Sequence, residues 1–259
     1  LNIHATKHNH TDEHAVRYIK KTNELDKQFQ EQLRNSPLWQ NFKNSNIDWF
    51  VIFNENNQLP HRAFGAPVSV TDVFTFLSNN NFDIPSDIRL KSEVKNDKYI
   101  NQNFVQYYNN LEVVNSKLYA KFSLANELIS FGLDVFNDIN ISTSPTLNLQ
   151  SAIASATSNI SNTISNVVVK DDLKVLANPK YRKYQYHLVY EISFSTRIGS
   201  GPANYICYVD ANNGELLMRK NTVMYEAPAT GIATVTAELY PTNPYDPAVT
   251  QNFKYLKAI

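Results

Sequence analysis

Apolar side chains recur at every second position through Tyr184, Tyr186, Leu188, Tyr190, Ile192 and Phe194, with Gln185, His187, Glu191 and Ser193 between them. A period of two is that of a half-buried β-strand. The interruption Ile198-Gly199-Ser200-Gly201-Pro202 breaks the pattern, and residues 204–210 resume it with Tyr, Ile and Val, so the two runs read as a hairpin. Asp210-Ala211-Asn212-Asn213-Gly214 supplies the next reversal, because Asn and Gly tolerate the positive φ of tight turns, and residues 215–221 form a third strand.

The rest of the chain alternates between the two periods. Residues 11–42 read as helix, with Thr11 as cap, a stripe of Val16, Ile19, Leu25, Phe29 and Leu33, and an end or break at Pro37. Residues 47–53 form a short apolar strand whose partner is 63–70. A helix follows over 70–77, capped by Thr71 or Asp72, and is stopped by Asn79-Asn80-Asn81. Strands are expected within 88–94, 103–122 and 128–135, then a loop at 137–145. From Leu147, small and apolar residues at Leu149, Ala152, Ile153, Ala156, Ile160 and Ile164 have helical spacing, although the Ser/Asn content also suits a linker. Residues 230–240 alternate weakly as a strand. Pro241, Pro244 and Pro247 then require an extended or turning course, either a connector or the opening of a further β-domain.

Two segments carry a resemblance. Residues 184–221, with YHLVYEISF, a loop and YICYVDANNGELLMRKN, resemble the PepSY domain in propeptides of thermolysin-like and fungalysin-like zinc metalloproteases. Residues 104–123, FVQYYNNLEVVNSKLYAKFS, are similar to the FTP (fungalysin/thermolysin propeptide) domain, matched at Gln106, Tyr108, Val113, Val114 and Ser116. Asn110 and Asn115 stand where that pattern has Gly; Asn is the next residue best suited to a left-handed backbone. The order FTP then PepSY is that of such propeptides, and the resemblance covers residues 64–225. It implies an α+β fold of two cystatin-like units, each a helix packed on a curved antiparallel sheet, with an N-terminal helical segment and an extended C-terminal tail. The divisions would be 1–46 (helical segment), 47–145 (FTP-like), 146–227 (helix plus PepSY-like) and 228–259 (linker, or start of a following β- or catalytic domain).

Composition narrows the chemistry. The 259 residues are 42% hydrophobic, enough for one large or two small cores, and 24 basic residues balance 24 acidic ones, so no overall charge marks a nucleic-acid or membrane partner. Asn richness with few glycines suits an AT-rich bacterial genome. Nothing approaches a transmembrane run, and a start at Leu1 suits a secreted protein whose leader has been removed, with a cytosolic fragment as the alternative. The single cysteine, Cys207, sits in a strand pattern and reads as a buried thiol. His4, His8, His10 and His14 could pair on helical faces to hold a transition metal, yet a terminus with incidental histidines is the plainer reading. His187 falls on the polar face of its strand and is expected to face solvent. Asp171, Asp172 and Asp210 read as strand-end and turn carboxylates, and the 15 tyrosines as core and sheet-face residues.

The sequence contains no HExxH, GxSxG, P-loop or GxGxxG, so no catalytic and no metal residue is assigned to this chain. The resemblance implies instead a propeptide that acts as intramolecular chaperone and inhibitor of a secreted zinc metallopeptidase. Zinc, with calcium as a further ion, would belong to that catalytic domain, which would be the partner. Contact candidates are Val113, Val114, Asn115, Ser116 and Lys117, and in the tail Ile232, Val235, Leu239 and Tyr240, on the argument that strands and extended tails add to a partner's sheet or groove. The alternatives are a free-standing PepSY- or cystatin-like module that binds a separate protease, and a structural adhesin-like module.

Overall fold

The computed structural model describes residues 25–170, 172–198, 201–223, 235–239 and 249–253. The expected start of the first helix at Thr11 and the four terminal histidines lie outside them. Two compact units divide the chain, Leu1–Thr222 and Val223–Ile259.

The first described elements of this unit are two helices, α1 (Lys27–Arg34) and α2 (Pro37–Ser45). The break expected at Pro37 is present, between α1 and α2, and Pro37 itself begins the second helix. Its missing N–H costs nothing in the first turn, and Ser36 caps α2 by accepting from the Trp39 amide at 3.4 Å. Asp26 caps α1, accepting from the amides of Gln28 and Phe29 at 3.1 Å each. Strands β1 (Phe50–Phe53) and β2 (Pro60–Ser69) pair antiparallel as the alternation predicts. Asp72 caps α3 (Val73–Asn79), with the Thr75 amide 2.9 Å from its carboxylate.

Then come β3 (Ile88–Lys95), β4 (Tyr99–Tyr108), β5 (Leu111–Val114), β6 (Lys117–Ser123) and β7 (Glu127–Asp134). After α4 (Leu149–Thr157) follow β8 (Ser165–Val169), β9 (Lys174–Lys180), β10 (Lys183–Ile198), β11 (Gly201–Asp210) and β12 (Leu216–Asn221). The helix expected from Leu147 onward is therefore half as long as its pattern, and Ile164 precedes a strand.

These strands form one sheet in the order β1-β2-β7-β6-β4-β5-β9-β10-β11-β12, with β3 added to β4 and β8 to β10. The expected architecture of two cystatin-like units, each a helix on its own antiparallel sheet, is thereby corrected: the described residues of the first unit build a single mixed sheet of 12 strands with four short helices. The cause is local. β5 pairs in parallel with β9, Val113 opposite Val175 and Val114 opposite Leu176, and this joint fuses the segments into one sheet.

Helices cover one face of the strands at each end. Beside β1, β2, β7 and β6, an aromatic cluster packs Phe42 against Trp39, Trp49, Phe76, Phe82 and Phe131 with ring centroids 4.7–6.0 Å apart. Leu33, Trp39 and Phe42 share this core with Val51 and Phe53, so residues 25–46 are part of the sheet's packing and not a segment apart. At the other end Ala152 and Ala156 of α4 lie on Ile192, Phe194, Cys207 and Val209; only a methyl side chain lets the helix approach so closely.

In the second unit, β13 (Val235–Leu239) and β14 (Val249–Phe253) pair antiparallel, Val235 opposite Phe253 and Leu239 opposite Val249. The expected extended tail thus contains a strand pair. Ile232 and Tyr240 lie outside the described residues.

Phe131 is fully buried among Phe42, Trp49, Phe76 and Phe82. Phe131→Ala should lower the unfolding free energy by about 3–5 kcal/mol, read from urea midpoints at unchanged slope. A loss under about 1 kcal/mol would show that this cluster is not the core.

Candidate functional site

The residues matched to the propeptide pattern meet at the joint between β5 and β9. Gln106, on β4, is buried and clamps the backbone of Phe136: its Nε2 donates to the Phe136 carbonyl at 2.6 Å, and its Oε1 accepts from the Phe136 amide at 2.8 Å. The Gln106 amide donates to Ser116 Oγ at 3.0 Å. Tyr108 donates to the Ile141 carbonyl at 3.4 Å. Asn110 and Asn115, the two positions at which Asn replaces Gly, have φ of 65° and 69°, so the left-handed backbone expected of them is what forms.

Each matched residue thus has a duty in building the joint. That corrects two contact candidates: Val113 and Val114 are buried and packed against Val175, Ala177, Leu176 and Val189, so their side chains are not presented to a partner. Asn115 and Lys117 are exposed, and Ser116 is half-buried with its hydroxyl engaged. Val235 and Leu239 stand at opposite ends of β13.

On the sheet face opposite α4 lies a polar cluster. His187 Nδ1 is 2.7 Å from Asp210 Oδ2, with only 12% and 7% of the side chains exposed. His187 is therefore half-buried against a carboxylate, not solvent-facing as its place in the alternation suggests. Asp210 also accepts from the amides of Asn212 and Asn213 at 2.8 and 3.2 Å, which makes the VDANNGEL turn. Beside it Lys174 reaches Glu191 at 2.9 Å and Glu112 at 3.6 Å, and Tyr208 donates to Glu191 at 3.2 Å. Burial works against the Lys174 charge, but the two carboxylates outweigh it and hold its pKa above the ordinary lysine value. Burial, reinforced by Glu191, pushes the Tyr208 hydroxyl up.

What this cluster can do is limited. A lysine held protonated is neither base nor nucleophile. Cys207 opposes Ile192 and packs with α4, on the other face from His187, and burial pushes its thiol up to about 11. Among the described residues no group of three or more His, Cys, Asp or Glu could hold a metal ion. A cleft of ≈ 520 Å³ opens beside the Gln106 clamp, lined by Asp83, Asp87, Tyr107 and Asn110 among others, and Asp87 there is engaged by Arg89 at 2.8 Å.

No family model and no curated protein matches the chain. Among solved structures, the Bacillus megaterium YpeB C-terminal domain is similar over 76% of this chain and 98% of that one, with 14% identity and a TM-score of 0.33, a likeness too loose to carry an argument.

Two predictions follow from these contacts. Asn115→Ala should destabilise the fold by about 1 kcal/mol through its left-handed backbone, whereas Asn115→Gly should be near neutral; equal effects in urea titrations would remove the conformational explanation. His61, whose Nδ1 lies 2.8 Å from Asp134, has its pKa raised by that carboxylate. The folded state therefore binds the proton more tightly, so the pair's contribution is complete below the unfolded value of about 6.5 and is lost as pH rises through the folded one. His61→Gln should flatten the fall in urea midpoint between about pH 6 and pH 8; an unchanged slope would place its origin elsewhere.

Proposed function

We propose that this chain is the prodomain of a secreted zinc metallopeptidase and that it works as a binding surface, not as a catalyst. It would assist folding of the catalytic domain and hold it inactive until the two are cleaved apart. One observation supports the reading: the residues that match the FTP-like pattern make the clamp and the left-handed turns that position β5, Gln106 on Phe136 and Ser116 and Asn110 and Asn115 at positive φ, and the PepSY-like segment follows in the order found in such propeptides, here within one sheet instead of two separate units. A pair of motifs that occur in this order in propeptides is here one physical object.

The sheet offers what such a role needs. β1, β3, β8 and β12 each have strand pairing on one side only among the described residues, and an unpaired edge can add a strand from a partner. The His187–Asp210 and Lys174–Glu191 pairs link neighbouring strands of the sheet, β10 to β11 and β9 to β10.

The test is a titration of the whole chain against the metallopeptidase domain encoded with it, together with refolding of that domain in its presence. Saturable inhibition and a higher refolding yield are expected. Neither effect at concentrations well above about 1 μM would overturn the reading, since interfaces of standard size span micromolar to picomolar affinity.

A further inference from the structure

The face of the first half of the sheet that is turned away from α1, α2 and α3 carries an ordered set of cations. One row of register partners crosses six strands on this face: Phe50, Phe64, Ser130, Lys121, Asn101 and Val94, from β1 through β2, β7, β6 and β4 to β3. Their chain neighbours Val51, Ala63, Phe131 and Ala120 point the other way, into the core. Phe50, Phe64 and Val94 are 50%, 38% and 55% exposed.

Basic side chains on these strands lie over aromatic rings of the same face. Lys121 Nζ is 3.6 Å from the Tyr99 ring centroid, Arg62 Cζ 5.3 Å from that of Phe64, and Lys117 Nζ 5.2 Å from that of Tyr119. Tyr119 in turn lies over Gly132, where an added Cβ would collide with the ring and with the His61 carbonyl. The absent side chain is what seats the ring. Arg62, Lys117 and Lys121 make no salt bridge among the described residues, while the β7 carboxylates Asp134 and Glu127 are already engaged by His61 and Ser123. Among the described residues the result is three cations held over rings, with hydrogen-bonding capacity unused, on a face flanked by exposed Phe50 and Phe64.

We propose that this face docks a folded protein surface bearing separated carboxylates, and that the partner is the catalytic domain of the prodomain reading, on which the partner's identity rests. Two features favour a protein over a linear polyanion or a stacked base or sugar. The ring faces are occupied by the chain's own cations, so they are not open for stacking. Lys117 and Lys121, four residues apart on one strand, stand about 13 Å from each other, and Arg62 lies two strands away, about 10 Å across the sheet. That is a sparse two-dimensional array with apolar anchors, not a track for closely spaced phosphates or sulfates. Six strands averaging about eight residues span roughly 24 by 26 Å, the scale of one standard interface. Rings that pin long cationic side chains in advance reduce the ordering cost of docking.

The experiment uses the whole chain, the catalytic domain encoded with it, and the double variants Lys117→Glu/Lys121→Glu and Lys117→Gln/Lys121→Gln, with urea midpoints confirming folding. Calorimetric titration should show wild-type affinity falling as NaCl rises, the Glu pair at least about tenfold weaker and the Gln pair intermediate. Wild-type affinity in both variants, with binding intact, overturns this face while leaving the prodomain reading standing. Absence of wild-type binding overturns both. Heparin bound more tightly than the catalytic domain, and weakened by the same substitutions, overturns the protein partner in favour of a polyanion.

Discussion

Two residue pairs hold the first unit together as one sheet. Val113 against Val175 and Val114 against Leu176 are the parallel contact of β5 with β9, and through it the strands of residues 50–134 and those of residues 165–221 join into one sheet. Four residues is a short β5, so its position is fixed from outside: two left-handed Asn residues bracket it, the Gln106 side chain fastens β4 to the chain after β7, and Ser116 returns a bond to Gln106. Backbone groups of Phe136 left without Gln106 would each be a buried polar group lacking a partner, which makes a single glutamine a structural fastener.

The second half shows the same economy in its charges. Asp210 serves the turn amides and His187 at once, and Glu191 takes both Lys174 and Tyr208. Arg219, buried on β12, donates to the carbonyls of Ala156 and Ser158 at 2.8 and 2.9 Å and so closes the end of α4. A buried ion pair is weak evidence for stability, because the cost of removing both charges from water offsets their attraction.

Much of the element structure is legible in the chain. Period-two alternation gives β10 and β11, the turn residues from Asp210 to Gly214 give the reversal to β12, and Asp72 caps α3 as its position before an apolar run suggests. What fails is long-range. Nothing in residues 111–114 says that they pair in parallel with 174–177, because register across sixty residues depends on which edges are left open, and alternation is silent on that. His187 misleads for a related reason: the polar face of an alternating strand is solvent only if no carboxylate from the next strand closes over it. The cationic face is equally hidden, since Lys117, Lys121, Arg62, Tyr99 and Phe64 become neighbours only through strand pairing.

The separation in sequence across the β5–β9 joint also sets a schedule during synthesis. β1 through β7 close on themselves by pairings within residues 50–134, whereas β5 waits for β9, some sixty residues further on. At a ribosomal rate of about 5–20 residues per second that gap lasts roughly 3–12 s. During it the nascent chain carries the bare edge Leu111–Val114 that the finished sheet conceals, and α4 with its nearly uncharged flanks must emerge before the edge is covered. The joint that unifies the finished domain is thus also the window in which the growing chain is most open to pairing with the wrong strand.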